Sequence, residues 1–107
     1  MALFQRATVI FVPATTIGEL EAAFLRGTRA RENQLLLDAF LEEPVVREVP
    51  IDRKIARRYG ALFAKLRSKG TPIPINDVWI AALALQHHAT LFTRDSDFER
   101  IPQLPRV

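Results

Sequence analysis

The segment from Val78 to Leu85 has apolar residues on every side of the helix that its composition predicts. A helix of this kind is normally covered on more than one face, because apolar surface left in water is unfavourable. The rest of the fold must therefore supply at least two neighbours for it. We expect one to be a β-sheet and another to be a second helix, and we expect Asn76 to open the segment.

Short β-branched runs alternate with amphipathic segments along the chain. The runs predicted to be strands are Val9–Val12, Val45–Val49, Thr90–Thr93 and the small edge strand Leu104–Val107. Strands that alternate with helices argue for a parallel sheet covered on both faces. We therefore expect an α/β fold with three layers, in which the sheet lies between helices.

Helix boundaries are predicted from capping signals. Thr16 and Glu19 have the spacing of a capping box, which predicts that a helix begins at Thr16. A second helix is predicted over about Glu32–Glu43. Asp52 is predicted to cap a long helix, and Gly70 is predicted to end it.

The composition is that of a soluble globular chain. Its 107 residues are 49% hydrophobic and 25% charged, and we expect residues 1–107 to form a single domain. Cysteine is absent, which excludes disulfides and thiolate metal sites and favours the reducing cytoplasm. No apolar run approaches the roughly 18 residues that span a bilayer, so no membrane association is expected.

The net charge of +3 comes mostly from arginine. The planar guanidinium group suits phosphate oxygens better than a lysine point charge does, so the balance favours an anionic partner. Arg53, Arg57 and Arg58 on the predicted Asp52 helix are candidate phosphate contacts, and a solvated helix face is the alternative. Arg94 is a candidate for contact with a nucleic acid strand or for pairing with an acid.

Four acidic residues lie where extended segments are predicted to turn into helices: Glu19, Asp77, Asp95 and Asp97. In parallel α/β sheets, ligands bind beyond the carboxyl ends of the strands, where helices begin. Carboxylates crowded there would repel one another, so a cation is the expected partner, and oxygen ligands favour Mg²⁺ or Mn²⁺ over zinc. Taken one at a time, each acid also has an ordinary capping role.

Two further features have both a functional and a structural interpretation. His87 and His88 suggest a zinc ligand or a general base, but their place at the end of the buried helix favours a surface or dipole-satisfying role. Trp79 lies beside Asp77, where it could stack on a base or pack in the core, and core packing is favoured.

Three stretches of the chain resemble the motifs of PIN-domain ribonucleases, in particular the VapC-type toxins of bacterial toxin–antitoxin pairs. They are FVPATTIGEL at 11–20, NDVWIAA at 76–82 and LFTRDSDF at 91–98. By this resemblance, Glu19, Asp77 and Asp95 match the metal-site acids of the family, and Asp97 matches a nearby position that is often acidic. Thr93 matches a polar residue that shapes the site, and Thr16 is assigned a supporting role.

The resemblance implies a PIN-like domain that cleaves RNA with Mg²⁺ or Mn²⁺ and leaves 3′-hydroxyl and 5′-phosphate ends. It also implies a homodimer and an antitoxin protein whose tail blocks the acidic pocket. Family members usually open with a strand that carries an aspartate, whereas no acidic residue precedes Glu19. We therefore expect an N-terminally incomplete domain. The alternative function is a catalytically impaired module that binds RNA or another protein.

Overall fold

A computed structural model describes residues 9–91 and 95–106 of the chain. These residues form two compact units, and the division falls between Pro50 and Ile51. In the part of the chain that is described, no helix is both long and apolar enough to cross a bilayer.

The first unit is a parallel strand pair joined by two helices. Its elements are, in order, β1 (Ile10–Pro13), α1 (Ala14–Arg26), α2 (Ala30–Leu41) and β2 (Val46–Val49). Ile10 lies opposite Val46 in the parallel ladder, and Pro13 lies opposite Val49. This short parallel sheet with helical connections confirms the predicted α/β class.

Helix α1 begins at Ala14, before the position that the capping-box spacing predicts. Pro13 takes the N-cap position with φ −64° and ψ 142°, and no described side chain caps it. The prediction that Thr16 and Glu19 form a capping box is therefore wrong, because both residues lie inside the helix. The proline ring fixes φ near the helical value while ψ stays extended, so β1 runs into α1 without a polar cap.

The second unit contains two long helices and a short one. Helix α3 spans Arg53–Ser68, helix α4 spans Ile75–Gln86, and a 3-10 helix spans Ser96–Arg100. Leu91 forms a parallel bridge with Arg106. This bridge falls within the two C-terminal strands that the sequence predicts, but residues 92–94 of the first of them lie outside the described residues.

Helix α4 is buried to the extent that its composition predicts. Its buried residues are Val78, Ala81, Ala82, Leu83 and Ala84. It begins at Ile75, with Pro74 at the N-cap, rather than at Asn76. The prediction that Asn76 opens the helix is therefore wrong by one residue. The reason is the same as in α1, because a proline with extended ψ precedes the first helical turn.

Helices α3 and α4 pack against each other through aromatic rings. The ring of Tyr59 stacks on Trp79, with 3.9 Å between centroids and an angle of 12° between the planes. Trp79 therefore has the packing role that the sequence favours. The start of α3 is also as predicted, because the Asp52 carboxylate accepts a hydrogen bond of 2.9 Å from the Ile55 N–H.

Both long helices of the second unit end with the same backbone motif. After α3, Gly70 adopts φ +70°, its N–H donates to Arg67 O, and the N–H of Thr71 donates to Leu66 O. After α4, His88 adopts φ +52° and the same pair of hydrogen bonds forms. This is the Schellman motif, in which glycine is the usual left-handed residue. His88 thus closes a helix at a conformational cost that glycine would avoid.

We predict that His88→Gly raises the free energy of unfolding by about 0.5–1 kcal/mol. The left-handed conformation costs an L-residue about 1–2 kcal/mol, and the greater freedom of glycine in the unfolded chain offsets part of the gain. Urea denaturation monitored by circular dichroism measures the change. Gly70→Ala is the reciprocal control and should lower the free energy by a similar amount, because open space surrounds Gly70 and only backbone strain changes. An unchanged midpoint for His88→Gly would contradict the assignment.

Candidate metal centre

Three of the four predicted acids meet in the second unit. Asp77, Asp95 and Asp97 each offer one carboxylate oxygen, and these oxygens lie within 4.8 Å of one another. Asp77 and Asp97 are partly buried, whereas Asp95 is exposed. The structure thus brings together side chains that are separated by as many as twenty positions along the chain.

Asp77 owes its place to the start of α4. It lies in the first turn, and its N–H donates a hydrogen bond of 3.0 Å to Pro74 O. Because the N-terminal end of a helix carries a partial positive charge, a negative charge in this turn stabilises the helix. The residue next to it, Val78, is almost wholly buried and fixes the turn against the core.

Asp95 and Asp97 are held by the 3-10 helix. The Asp95 carboxylate accepts a hydrogen bond of 2.9 Å from the Asp97 N–H, so Asp95 does cap this helix. Phe98 and Ile101 are buried and anchor the helix to the unit. The capping interpretation and the ligand interpretation of Asp95 are therefore compatible, because the cap holds the Asp95 carboxylate beside the backbone of Asp97.

Arg100 ties the 3-10 helix to the segment that precedes α4. Its Nη1 donates a hydrogen bond of 2.6 Å to Pro72 O. This bond, together with the buried Phe98, keeps the carboxylate of Asp97 beside that of Asp77. Arg100 is not among the residues predicted from sequence, and its spacing of three from Asp97 in a short helix is the signal that points to it.

The donor set fits a hard divalent cation. Two like charges 4 Å apart repel by about 1 kcal/mol in water and by about 4 kcal/mol near a protein surface. Three carboxylates at such distances therefore favour a positive ion among them. Oxygen donors without sulfur or imidazole suit Mg²⁺ or Mn²⁺. Asp77, Asp95 and Asp97 are the residues that would hold it.

Glu19 lies in the first unit, on the exposed surface of α1. It borders a shallow groove whose other lining residues are Thr16, Leu20, Ala22, Ala23 and Arg26. Its role as a ligand stays a prediction, as does the supporting role of Thr16. Thr93 and Arg94 lie outside the described residues, and the roles assigned to them also stay predictions.

The three arginines predicted to contact phosphate lie in the N-terminal half of α3. Arg58 donates a hydrogen bond of 3.3 Å to Gln86 Oε1, at the last residue of α4. Gln86 is about 14 Å along the helix axis from Asp77, because each residue adds 1.5 Å. Arg53 and Arg57 precede Arg58 on α3 and share this half of the helix. All three are exposed, and their contact with nucleic acid stays a prediction.

Comparison with known proteins gives one consistent family. The model of the PIN domain family matches residues 1–104. The ribonuclease VapC4 of Mycobacterium tuberculosis is 29% identical over 93 residues, which are 87% of this chain and 72% of that protein. The ribonuclease VapC2 of Rickettsia felis is 30% identical over 105 residues, which are 97% of this chain and 77% of that protein.

Solved structures agree with the sequence comparisons. The chain superposes on VapBC2 from Rickettsia felis, bound to a promoter DNA fragment, with a TM-score of 0.87 and 30% identity, covering 99% of this chain and 79% of that one. For VapBC-1 from nontypeable Haemophilus influenzae the TM-score is 0.84 and the identity 26%, covering 92% of this chain and 73% of that one. The covered fraction of each chain says how much of it corresponds to the other, and it does not test whether the domain is incomplete at its N-terminus. That expectation therefore stays a prediction.

We predict that Asp97→Asn weakens Mn²⁺ binding by at least about tenfold, because it removes a charged ligand while keeping the shape of the side chain. Isothermal titration calorimetry with MnCl₂ alone measures the affinity. Glu99→Gln is the matched control, since it removes one exposed acid from the same 3-10 helix. Equal losses in the two variants would mean that general charge, rather than a ligand set, attracts the ion.

Proposed function

Since this chain belongs to the PIN-domain family, we propose that it is a metal-dependent endoribonuclease of the VapC toxin type. The observation that carries the proposal is the convergence of three carboxylate oxygens within 4.8 Å. Two of the relatives described above carry the word ribonuclease in their names. We further propose that the activity is cytoplasmic, in keeping with the absence of cysteine.

The proposed reaction is hydrolysis of an RNA phosphodiester bond. Asp77, Asp95 and Asp97 would hold Mg²⁺ or Mn²⁺, and Glu19 is the proposed fourth ligand by its position in the family motif. When bound, the divalent ion lowers the pKa of water and offsets charge on the phosphoryl oxygens. The oxygen of water forms a bond to phosphorus in line with the bond to O3′, which breaks. The products carry a 3′-hydroxyl and a 5′-phosphate.

The part of the carboxylates in this reaction is to bind and to orient. Asp77 and Asp97 are partly buried, so their oxygens are held by the packing of α4 and of the 3-10 helix. Because these charges are already fixed in place, little reorganisation energy is needed when negative charge develops on the scissile phosphate. Exposed Asp95 leaves one side of the cluster open to solvent, which is where an RNA strand would enter.

We also propose that the chain pairs with an antitoxin and with a second copy of itself. Relatives of known structure are VapBC complexes. Within the described part of the first unit, α1 buries none of its residues, and Leu25 and Leu36 are 81% and 70% exposed. These exposed leucines belong to two helices that contact each other, which supports a protein interface on this side of the first unit. We assign this apolar surface to the homodimer and the acidic cluster to the antitoxin tail.

We predict that the protein cleaves single-stranded RNA in the presence of Mg²⁺ or Mn²⁺. We also predict that Asp77→Asn lowers the cleavage rate about 10- to 100-fold. The loss is expected because the remaining carboxylates hold the ion less firmly. A fluorescently labelled RNA resolved on denaturing gels measures the rate, with Glu99→Gln as the control for charge. RNA that stays intact at every metal concentration would instead favour the catalytically impaired binding module.

We predict that Leu25→Gln combined with Leu36→Gln converts a dimer into a monomer, because two exposed apolar contacts are lost from the interface. Sedimentation velocity measures the state of each protein. Ile75→Gln changes an apolar side chain that is 58% exposed in the second unit, and it should sediment as the wild type does. A monomeric wild-type protein, or a double variant that stays dimeric, would rule out this interface.

A further inference from the structure

Positive charge is concentrated in the second half of the chain. Residues 1–50 contain five Lys and Arg side chains and seven Asp and Glu side chains. Residues 51–107 contain ten Lys and Arg side chains and five Asp and Glu side chains, so the formal charge of this half is +5. Helix α3 carries six cationic side chains and no acid: Arg53, Lys54, Arg57, Arg58, Lys65 and Arg67. Like charges four residues apart on one helix repel one another, so an external anion bound there would relieve this repulsion.

The two ends of α3 lie at opposite ends of α4. Arg58, in the N-terminal half, contacts Gln86 at the last residue of α4. In the C-terminal half, Phe63 and Leu66 line a cavity of about 200 Å³ together with Val78, the neighbour of Asp77. The cations that lie on the same side of the unit as the acidic cluster are therefore those of the C-terminal half of α3.

Lys65 and Lys69 face Arg100 across a narrow crease. The crease is also lined by Leu62, Leu66, Ile101, Pro102 and Gln103. Among the described residues that line it, none is acidic, and the three cations are exposed. Among the described residues a salt bridge joins Arg29 to Glu32 in the first unit, and none joins a described acid to Lys65, Lys69 or Arg100.

Arg100 connects this crease to the acidic cluster. It is the third residue after Asp97 in the 3-10 helix, and residues three apart in such a helix lie on the same side, about 6 Å along the axis. Its hydrogen bond to Pro72 O uses one of five guanidinium donors and fixes the position of the group. The crease has a volume of only about 10 Å³, so an anionic chain would lie along the exposed cations at its rim and would reach the carboxylates within about two stacked nucleotide steps of 3.4 Å.

We propose that Lys65, Lys69 and Arg100 form a phosphate track that holds the RNA strand next to the acidic cluster. The identity of the ligand rests on the proposed ribonuclease function. Contacts of this kind bind backbone phosphates and set the register of a strand without reading its sequence. The track is separate from Arg53, Arg57 and Arg58, which lie in the other half of α3.

A structural explanation exists for two of these residues, because cations near the C-terminal end of a helix interact favourably with its dipole. For Arg100 the structural explanation is its place in the last turn of the 3-10 helix and its hydrogen bond to Pro72 O. The structural explanation also makes a different prediction: loss of the two lysines would lower the stability of α3 and would leave the affinity for RNA unchanged.

The test is Lys65→Gln combined with Lys69→Gln, measured by fluorescence anisotropy on a labelled single-stranded RNA in EDTA. We expect weaker binding, and we expect the slope of log K against log salt to fall by about 1.4, since each lost phosphate contact removes about 0.7. Lys54→Gln combined with Arg31→Gln removes the same charge from exposed positions that do not line the crease and should keep most of the slope. Lys65→Arg with Lys69→Arg should restore binding.

The outcomes separate this proposal from the one on which it rests. A double glutamine variant with the wild-type slope, or a control pair with an equal loss, would overturn the track. Thermal unfolding of each variant shows whether a loss of binding reflects a loss of folded protein. Binding through the track in a protein that never cleaves RNA would refute the ribonuclease and leave the track standing. A double variant that cleaves RNA with the wild-type KM would refute the track and leave the ribonuclease standing.

Discussion

Helix α4 is stable in water only if other elements cover it, and this constraint organises the second unit. Helix α3 covers it through the stack of Tyr59 on Trp79, and the 3-10 helix packs on it with Phe98 buried. The first turn of α4 carries Asp77, and the 3-10 helix carries Asp97. The packing that removes apolar surface from water therefore also brings the carboxylates together.

Sequence reasoning succeeded where one segment contains all the information. The burial of α4, the cap at Asp52 and the end of α3 at Gly70 each follow from residues within a few positions, and each is confirmed. The start of α1 was mispredicted because two signals overlapped: the spacing of a capping box and a proline whose fixed φ starts a helix without a side-chain cap. Local rules do not rank such signals against each other.

Longer-range relations were less accessible to the sequence. The resemblance groups Glu19 with Asp77, Asp95 and Asp97. The structure brings the three aspartates together, and the place of Glu19 in the site stays a prediction. The sequence does not show which end of the cationic helix α3 lies beside the start of α4. Periodicity gives the faces of a helix, but the direction in which two helices cross depends on packing. Arg58 and Lys65 therefore look equivalent in the sequence, although one lies by Gln86 and the other faces Arg100.

The stack of Tyr59 on Trp79 has a consequence for spectroscopy. Trp79 is the single tryptophan of the chain and lies two residues after Asp77. All indole emission therefore arises from one contact between α3 and α4, at a distance of 3.9 Å from a tyrosine ring that can quench it. The molecule carries an intrinsic optical reporter beside its acidic cluster, and events at the first turn of α4 can be followed without an attached dye.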